Sequence, residues 1–240
     1  MLYNTRAIAL KVTNYSENSI VAQLFTEAFG IQSYLINGAR KPKAKIPLNM
    51  LQPLHLLDMI VYHKDSGALQ RIKEASASPL LQHIPLDITK STVAIFLNEI
   101  LYKVLKQQQP DSQLFEFIQQ SILWLDQTEN PIQNFHLCFL MKLSKFLGYM
   151  PSVMEKHLPY FDLVDGIFTK FAPAHSYVLQ EPHTSMFETI LNISYEHSHN
   201  IQMKHEDRIY LLNQIINFYK LHTENFGNVN SLSILEEIFH

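Results

Sequence analysis

The stretch Ser76-Ala77-Ser78-Pro79 separates two kinds of hydrophobic pattern. Before it, apolar residues recur with a period of two, and after it with a period of about 3.6, the signatures of strand and helix. Upstream, residues 7–13 and 19–26 read as strands around the turn residues Asn14-Tyr15-Ser16-Glu17-Asn18. Residues 31–37, 54–62 and 69–75 follow as further strands, with Gly30 in one turn and His63-Lys64-Asp65-Ser66-Gly67 in another. Five short strands joined through turns are the inventory of an OB-type barrel, and an SH3-like barrel would read almost the same.

Downstream, the Asp87 to Thr89 region opens a long helix that ends near Gln107-Gln108-Gln109-Pro110, and Asp111 caps a second one. A third follows Asn130-Pro131 and stops at Gly148, a residue suited to the left-handed conformation of a helix C-terminus. Two more are expected near residues 185–195 and 204–223. Between them Gly166-Ile167-Phe168-Thr169 and Ser176-Tyr177-Val178-Leu179 suggest a small hairpin within residues 163–180. The expected class is therefore α+β, with an OB-type barrel at 1–78 and a mainly helical domain at 79–240.

The chain has 240 residues, 47% of them hydrophobic, enough for a real core. It holds no apolar run of membrane-spanning length. Residues 1–6 also lack the pattern of a secretory leader, so a cytoplasmic, nucleoid-associated location is expected. Cys138 is the single cysteine, which excludes an internal disulfide and a cysteine pair for zinc. The net charge of −3 is uneven: residues 1–78 hold nine Lys and Arg against five Asp and Glu, a net +4, so the remainder carries −7. A polyanion would be met by the first part.

The cations of that part concentrate in Gly38-Ala39-Arg40-Lys41-Pro42-Lys43-Ala44-Lys45, where four fall within six residues while Gly and Pro keep them out of regular structure. Arg40, Lys41, Lys43 and Lys45 are the principal DNA-binding candidates, because Lys and Arg neutralise phosphates and release counterions whatever the base sequence. Arg6, Lys11, Arg71 and Lys73 extend the patch if they face the same side. Tyr3, Tyr15, Tyr34 and Tyr62 are candidates to stack bases. No Gly-rich phosphate loop, nucleophile elbow or zinc-protease helix is present, so no enzyme, cofactor or bound metal is expected. The alternatives are a metal-dependent hydrolase using the His197 and His199 region, and a protein-only adaptor.

Several motifs, in order and spacing, give a resemblance over nearly the full length. They are Ala7-Ile8-Ala9-Leu10, Tyr15 with Glu17-Asn18-Ser19, Leu24-Phe25-Thr26 with Gly30, Gly38-Ala39-Arg40-Lys41, and Leu51-Gln52-Pro53-Leu54. Leu147-Gly148-Tyr149-Met150-Pro151, Phe218-Tyr219 with His222, and Phe226-Gly227 with Ser231-Leu232 complete the set. With these the chain resembles the RecO family of bacterial DNA-repair recombination mediators. The resemblance implies an OB-fold followed by a helical domain, and no enzymatic activity. It implies binding of single- and double-stranded DNA, annealing of complementary strands, and recombinase loading with RecR onto strands coated by single-strand binding protein. Many members of that family carry a four-cysteine zinc site after the residues matching Gly148 to Pro151, and this chain does not. Phe161, Phe168, Phe171 and Tyr177 are expected to hold residues 152–180 by packing instead. The resemblance also implies a dock for the acidic, apolar tail of single-strand binding protein. Lys142 and Lys145 beside Phe135, Phe139, Leu143 and Phe146 would supply it on one helix face.

Overall fold

A computed structural model describes residues 1–64, 69–106, 109–152 and 157–239. The expected turn at Asp65-Ser66-Gly67 and the helix end at Gln107-Gln108 lie outside the described residues. The chain forms two compact units, Met1–Gln127 and Thr128–His240.

The first unit is built on β1 (Leu2–Asn14), which lies between β2 (Ile20–Thr26) and β4 (Leu56–Tyr62). The strands β3 (Gly30–Ile36) and β5 (Arg71–Ala77) are the outer members, and every neighbouring pair is antiparallel. The sheet curls until its edges meet. Tyr34 and Gln70 form a parallel bridge, with the Leu35 N–H donating to the Gln70 carbonyl at 3.0 Å and the Gln70 N–H to the Ser33 carbonyl at 2.8 Å. This is the expected OB-type arrangement. Inward-facing Ala7, Ala9, Ile20, Ala22, Leu24, Leu57, Met59 and Val61 pack with Tyr34, and Ala39, Ile46 and Leu51 from the β3–β4 connection join the same core.

Alternate residues of these strands are buried as well. Ile8, Leu10, Phe25 and Leu56 are buried although they project from the opposite face. The helices α1 (Ile88–Val104) and α2 (Ser112–Gln127) cover that face: Asn98 donates to the Leu10 carbonyl at 2.9 Å, and the rings of Phe25 and Phe115 lie 5.7 Å apart. The period change at residue 78 thus marks the end of the sheet, whereas the compact unit runs on to Gln127 because the sheet's outer face needs both helices. Asp87 caps α1 through the N–H groups of Thr89 and Lys90, and Asp111 accepts from the Leu114 N–H. The buried Asp126 carboxylate accepts the N–H groups of Gln82, His83 and Ile84 at 2.8 to 3.0 Å, fixing the connection between sheet and helices to the end of α2.

The second unit surrounds α3 (Phe135–Phe146), whose residues from Phe135 to Met141 are all buried. Around it lie α4 (His183–Asn192), α5 (His205–His222) and a short α6 (Leu232–Ile238) that the sequence did not signal. Arg208 donates to Asn134 at 2.9 Å, and Asn134 donates to the carbonyls of Ser198 and Ile201, a buried network that fixes the chain ahead of α5. The expected hairpin is replaced by three strands. Those at Ile167–Thr169 (β7) and Val178–Gln180 (β8) do not pair with each other, because Tyr160–Asp162 (β6) lies between them. Phe161 on the middle strand meets Phe168 at 4.9 Å, Phe187 at 4.6 Å and Phe218 at 6.1 Å. Phe161 and Phe168 therefore pack as expected, but Phe171 is 82% exposed and Tyr177 is also exposed, so neither contributes to that cluster. Asp162 adds polar support by accepting from the N–H groups of Val164 and Asp165 and pairing with His175 at 3.2 Å.

Two stability outcomes follow. Desolvation raises the Asp126 pKa, but the three backbone N–H groups outweigh it and hold the carboxyl below its usual range. Its contribution is therefore complete above the unfolded value of about 4 and is lost as pH falls through the lower folded value. Asp126→Asn should cost about 2 to 4 kcal/mol at neutral pH. It should also flatten the decline in stability below about pH 4, measured by urea unfolding across a pH series. Phe161→Ala should cost about 3 to 5 kcal/mol by the same measurement, since it leaves a cavity among three rings.

Candidate nucleic-acid interface

The basic loop leaves β3 through Gly38, whose φ of +70° is in the left-handed region that favours glycine. Its path is two successive turns: the Lys41 N–H donates to the Gly38 carbonyl at 3.1 Å and the Ala44 N–H to the Lys41 carbonyl at 3.0 Å. Ala39 and Ile46 anchor it by burial in the barrel core. Between these anchors Arg40, Lys41, Lys43 and Lys45 are all exposed. Among the described residues none of the four pairs with a carboxylate. The loop is also tied to the β1–β2 turn, for the Arg40 guanidinium donates to the Asn14 side chain and Ser19 donates to Asn37 at 3.1 Å. Asn14 was not singled out in the sequence; its only signal there is its place in the turn. Lys45 additionally borders a groove of about 720 Å³ with Arg6, Glu27, Asp58 and Glu74, so its surroundings are less cationic than those of the other three.

The remaining cations of this unit are placed differently. Arg6 donates to both Glu27 oxygens at 2.7 and 2.9 Å, to Glu116 at 3.1 Å and to Gln119 at 2.6 Å. Hydrogen bonding to Glu27 raises the Arg6 pKa and lowers that of Glu27, so this guanidinium is an internal tie between sheet and α2. Lys11 donates to the Tyr102 hydroxyl at 3.1 Å and lies 4.5 Å from that ring's centre. Arg71 and Lys73 are exposed, and Lys73 lies 3.8 Å from Glu74. Arg71 follows Gln70, which the barrel closure bonds to Ser33 and Leu35 of β3, the strand that runs into the basic loop. With Arg6 held by Glu27, Glu116 and Gln119 and Lys11 by Tyr102, the eight candidates do not form one set of free cations.

The same geography sorts the tyrosines. Tyr34 is buried, while Tyr3 packs against Phe29 at 5.3 Å and His63 at 6.2 Å near the Leu2 end, where Tyr62 also lies. Tyr15 alone of the four is both exposed and beside the loop.

In the second unit the apolar residues expected to form a tail-docking face are mostly buried. Phe135, Phe139 and Leu143 are fully buried, Phe146 is half-buried, and Lys142 donates to the Leu191 carbonyl at 3.0 Å. Lys145 is exposed next to the half-buried Phe146. His197 and His199 lie in a short 3-10 turn with ring centres 6.5 Å apart, and His197 meets the Ser194 hydroxyl. Among the described residues no three His, Cys, Asp or Glu side chains converge as metal ligands, and no helix is long and apolar enough to cross a membrane.

Comparison with known proteins agrees over the whole length. Residues 1–79 match the family model for Recombination protein O N terminal, and residues 85–231 match Recombination protein O C terminal. The DNA repair protein RecO of Flavobacterium johnsoniae is 35% identical over 240 residues, covering all of both chains. That of Bacteroides fragilis is 35% identical over 241 residues, and that of Porphyromonas gingivalis 30% over 244, again with full coverage of both. The chain belongs to the RecO family of DNA repair proteins.

Proposed function

We propose that this protein is a non-enzymatic recombination mediator whose β3–β4 loop binds DNA strands of any sequence by their phosphates. The observation that carries this reading is the loop's construction: four exposed cations, none paired with a carboxylate among the described residues, on a backbone anchored at Ala39 and Ile46. An anchored loop meets a polyanion with little left to order, and unpaired cations need not give up an internal partner first. Arg40, Lys41 and Lys43 are the leading contacts, with Lys45 beside them; Arg6 is excluded because its donors are engaged by Glu27, Glu116 and Gln119. Membership of the family supports the wider role: annealing complementary strands at the nucleoid and, with RecR, loading recombinase onto strands coated by single-strand binding protein. Any contact with that protein's tail uses a surface other than the Phe139 side of α3.

Titration of labelled DNA across a salt series tests this. Affinity should be similar for unrelated sequences, and log K should fall linearly with log salt. Replacing Arg40, Lys41, Lys43 and Lys45 with Ala should reduce the slope by about 2 to 3 units on single strands, because each phosphate contact contributes about 0.7. The unfolding temperature should stay nearly unchanged, since exposed charges contribute little to stability. A salt-independent affinity would contradict phosphate binding, and no binding at low salt would favour the protein-only adaptor.

A further inference from the structure

Phosphate contacts alone do not favour a single strand over a duplex, because the duplex carries the denser backbone charge. The base faces differ: in a duplex they are stacked, whereas in a single strand they are available. A protein selective for single strands therefore needs an exposed π-surface next to its phosphate-binding cations.

The β1–β2 turn supplies one. Tyr15 is 61% exposed, and among the described residues its ring has no ring partner. Its backbone is fixed: the N–H groups of Tyr15 and Ser16 both donate to the Ser19 carbonyl, at 3.0 and 3.1 Å. The preceding residue, Asn14, is still in β1, paired with Ile20, and its side chain accepts from Arg40. The ring is thus one residue from the group that holds a loop cation. Ser19 at the other end of the turn donates to Asn37 at the start of the loop, so turn and loop are joined at two points.

We propose that Tyr15 stacks an unpaired base while Arg40 and its neighbouring lysines hold the adjoining phosphates, giving this site a contact with single strands that a duplex does not offer. The inference rests on the phosphate-loop reading and deepens it. A base–aromatic stack corresponds to a change on the order of 5- to 150-fold in Kd.

The test uses the full-length protein with three probes: oligothymidine, an abasic strand of equal length, and a duplex. The parent protein should bind oligothymidine tighter than the abasic strand by a factor in that range. Tyr15→Ala should abolish the difference while leaving abasic and duplex affinities unchanged, and Tyr15→Phe should retain it because the ring remains. If Tyr15→Ala keeps the preference, or the parent binds both strands equally, stacking at Tyr15 is refuted while phosphate binding stands. If the parent binds none of the three probes, the phosphate-loop reading fails and this inference with it.

Discussion

Strand β1 is buried on both faces from Ala7 to Leu10, and much of the first unit follows from that constraint. Its inward positions are alanines at 7 and 9, too small to fill a barrel, so the core takes in Ala39, Ile46 and Leu51 from the β3–β4 connection. Its outward positions are Ile8 and Leu10, which have to be covered, and α1 and α2 cover them. The segment that helps fill the barrel is also the basic loop. Burial of its apolar residues and exposure of its cations are two results of one path, so the core itself restrains where the charges stand.

Sign alone does not make a cation available to a ligand. Arg6 and Arg40 carry the same group, yet the first is gripped by two carboxylates and the second donates to a neutral asparagine. A phosphate approaching Arg6 would have to displace Glu27, which gains its low pKa from that contact. Approaching Arg40 it meets a guanidinium whose charge has no counterion in the described structure. Lys11 is an intermediate case, with its ammonium on Tyr102 rather than on an acid. The net positive charge of the first 78 residues is thus divided into cations tied to internal partners, a pair at the start of β5 of which Lys73 lies beside Glu74, and the loop.

Features governed by near neighbours were legible in the sequence. The strand alternation, the Asp87 and Asp111 caps, the end of α3 at Gly148 and the exposed basic loop depend on residues a few positions apart. What was illegible depends on distant partners. Arg6 meets Glu116, 110 positions away, and nothing local distinguishes it from a surface cation. The strand Tyr160–Asp162 is three residues long, shorter than any period can register, so its place between Ile167–Thr169 and Val178–Gln180 was missed. The apolar side of α3 was visible, but periodicity cannot tell a ligand groove from a helix buried on nearly every side. Likewise the change of period located the first helices without revealing that they cover the sheet.

The claim that the barrel-anchored loop is the DNA-contacting surface is tested most directly by amide hydrogen exchange with and without a saturating single strand. The account predicts slowed exchange across residues 37–46 and in the adjoining turn at 14–19. Protection at Arg71 and Tyr62 with the loop unchanged would contradict it.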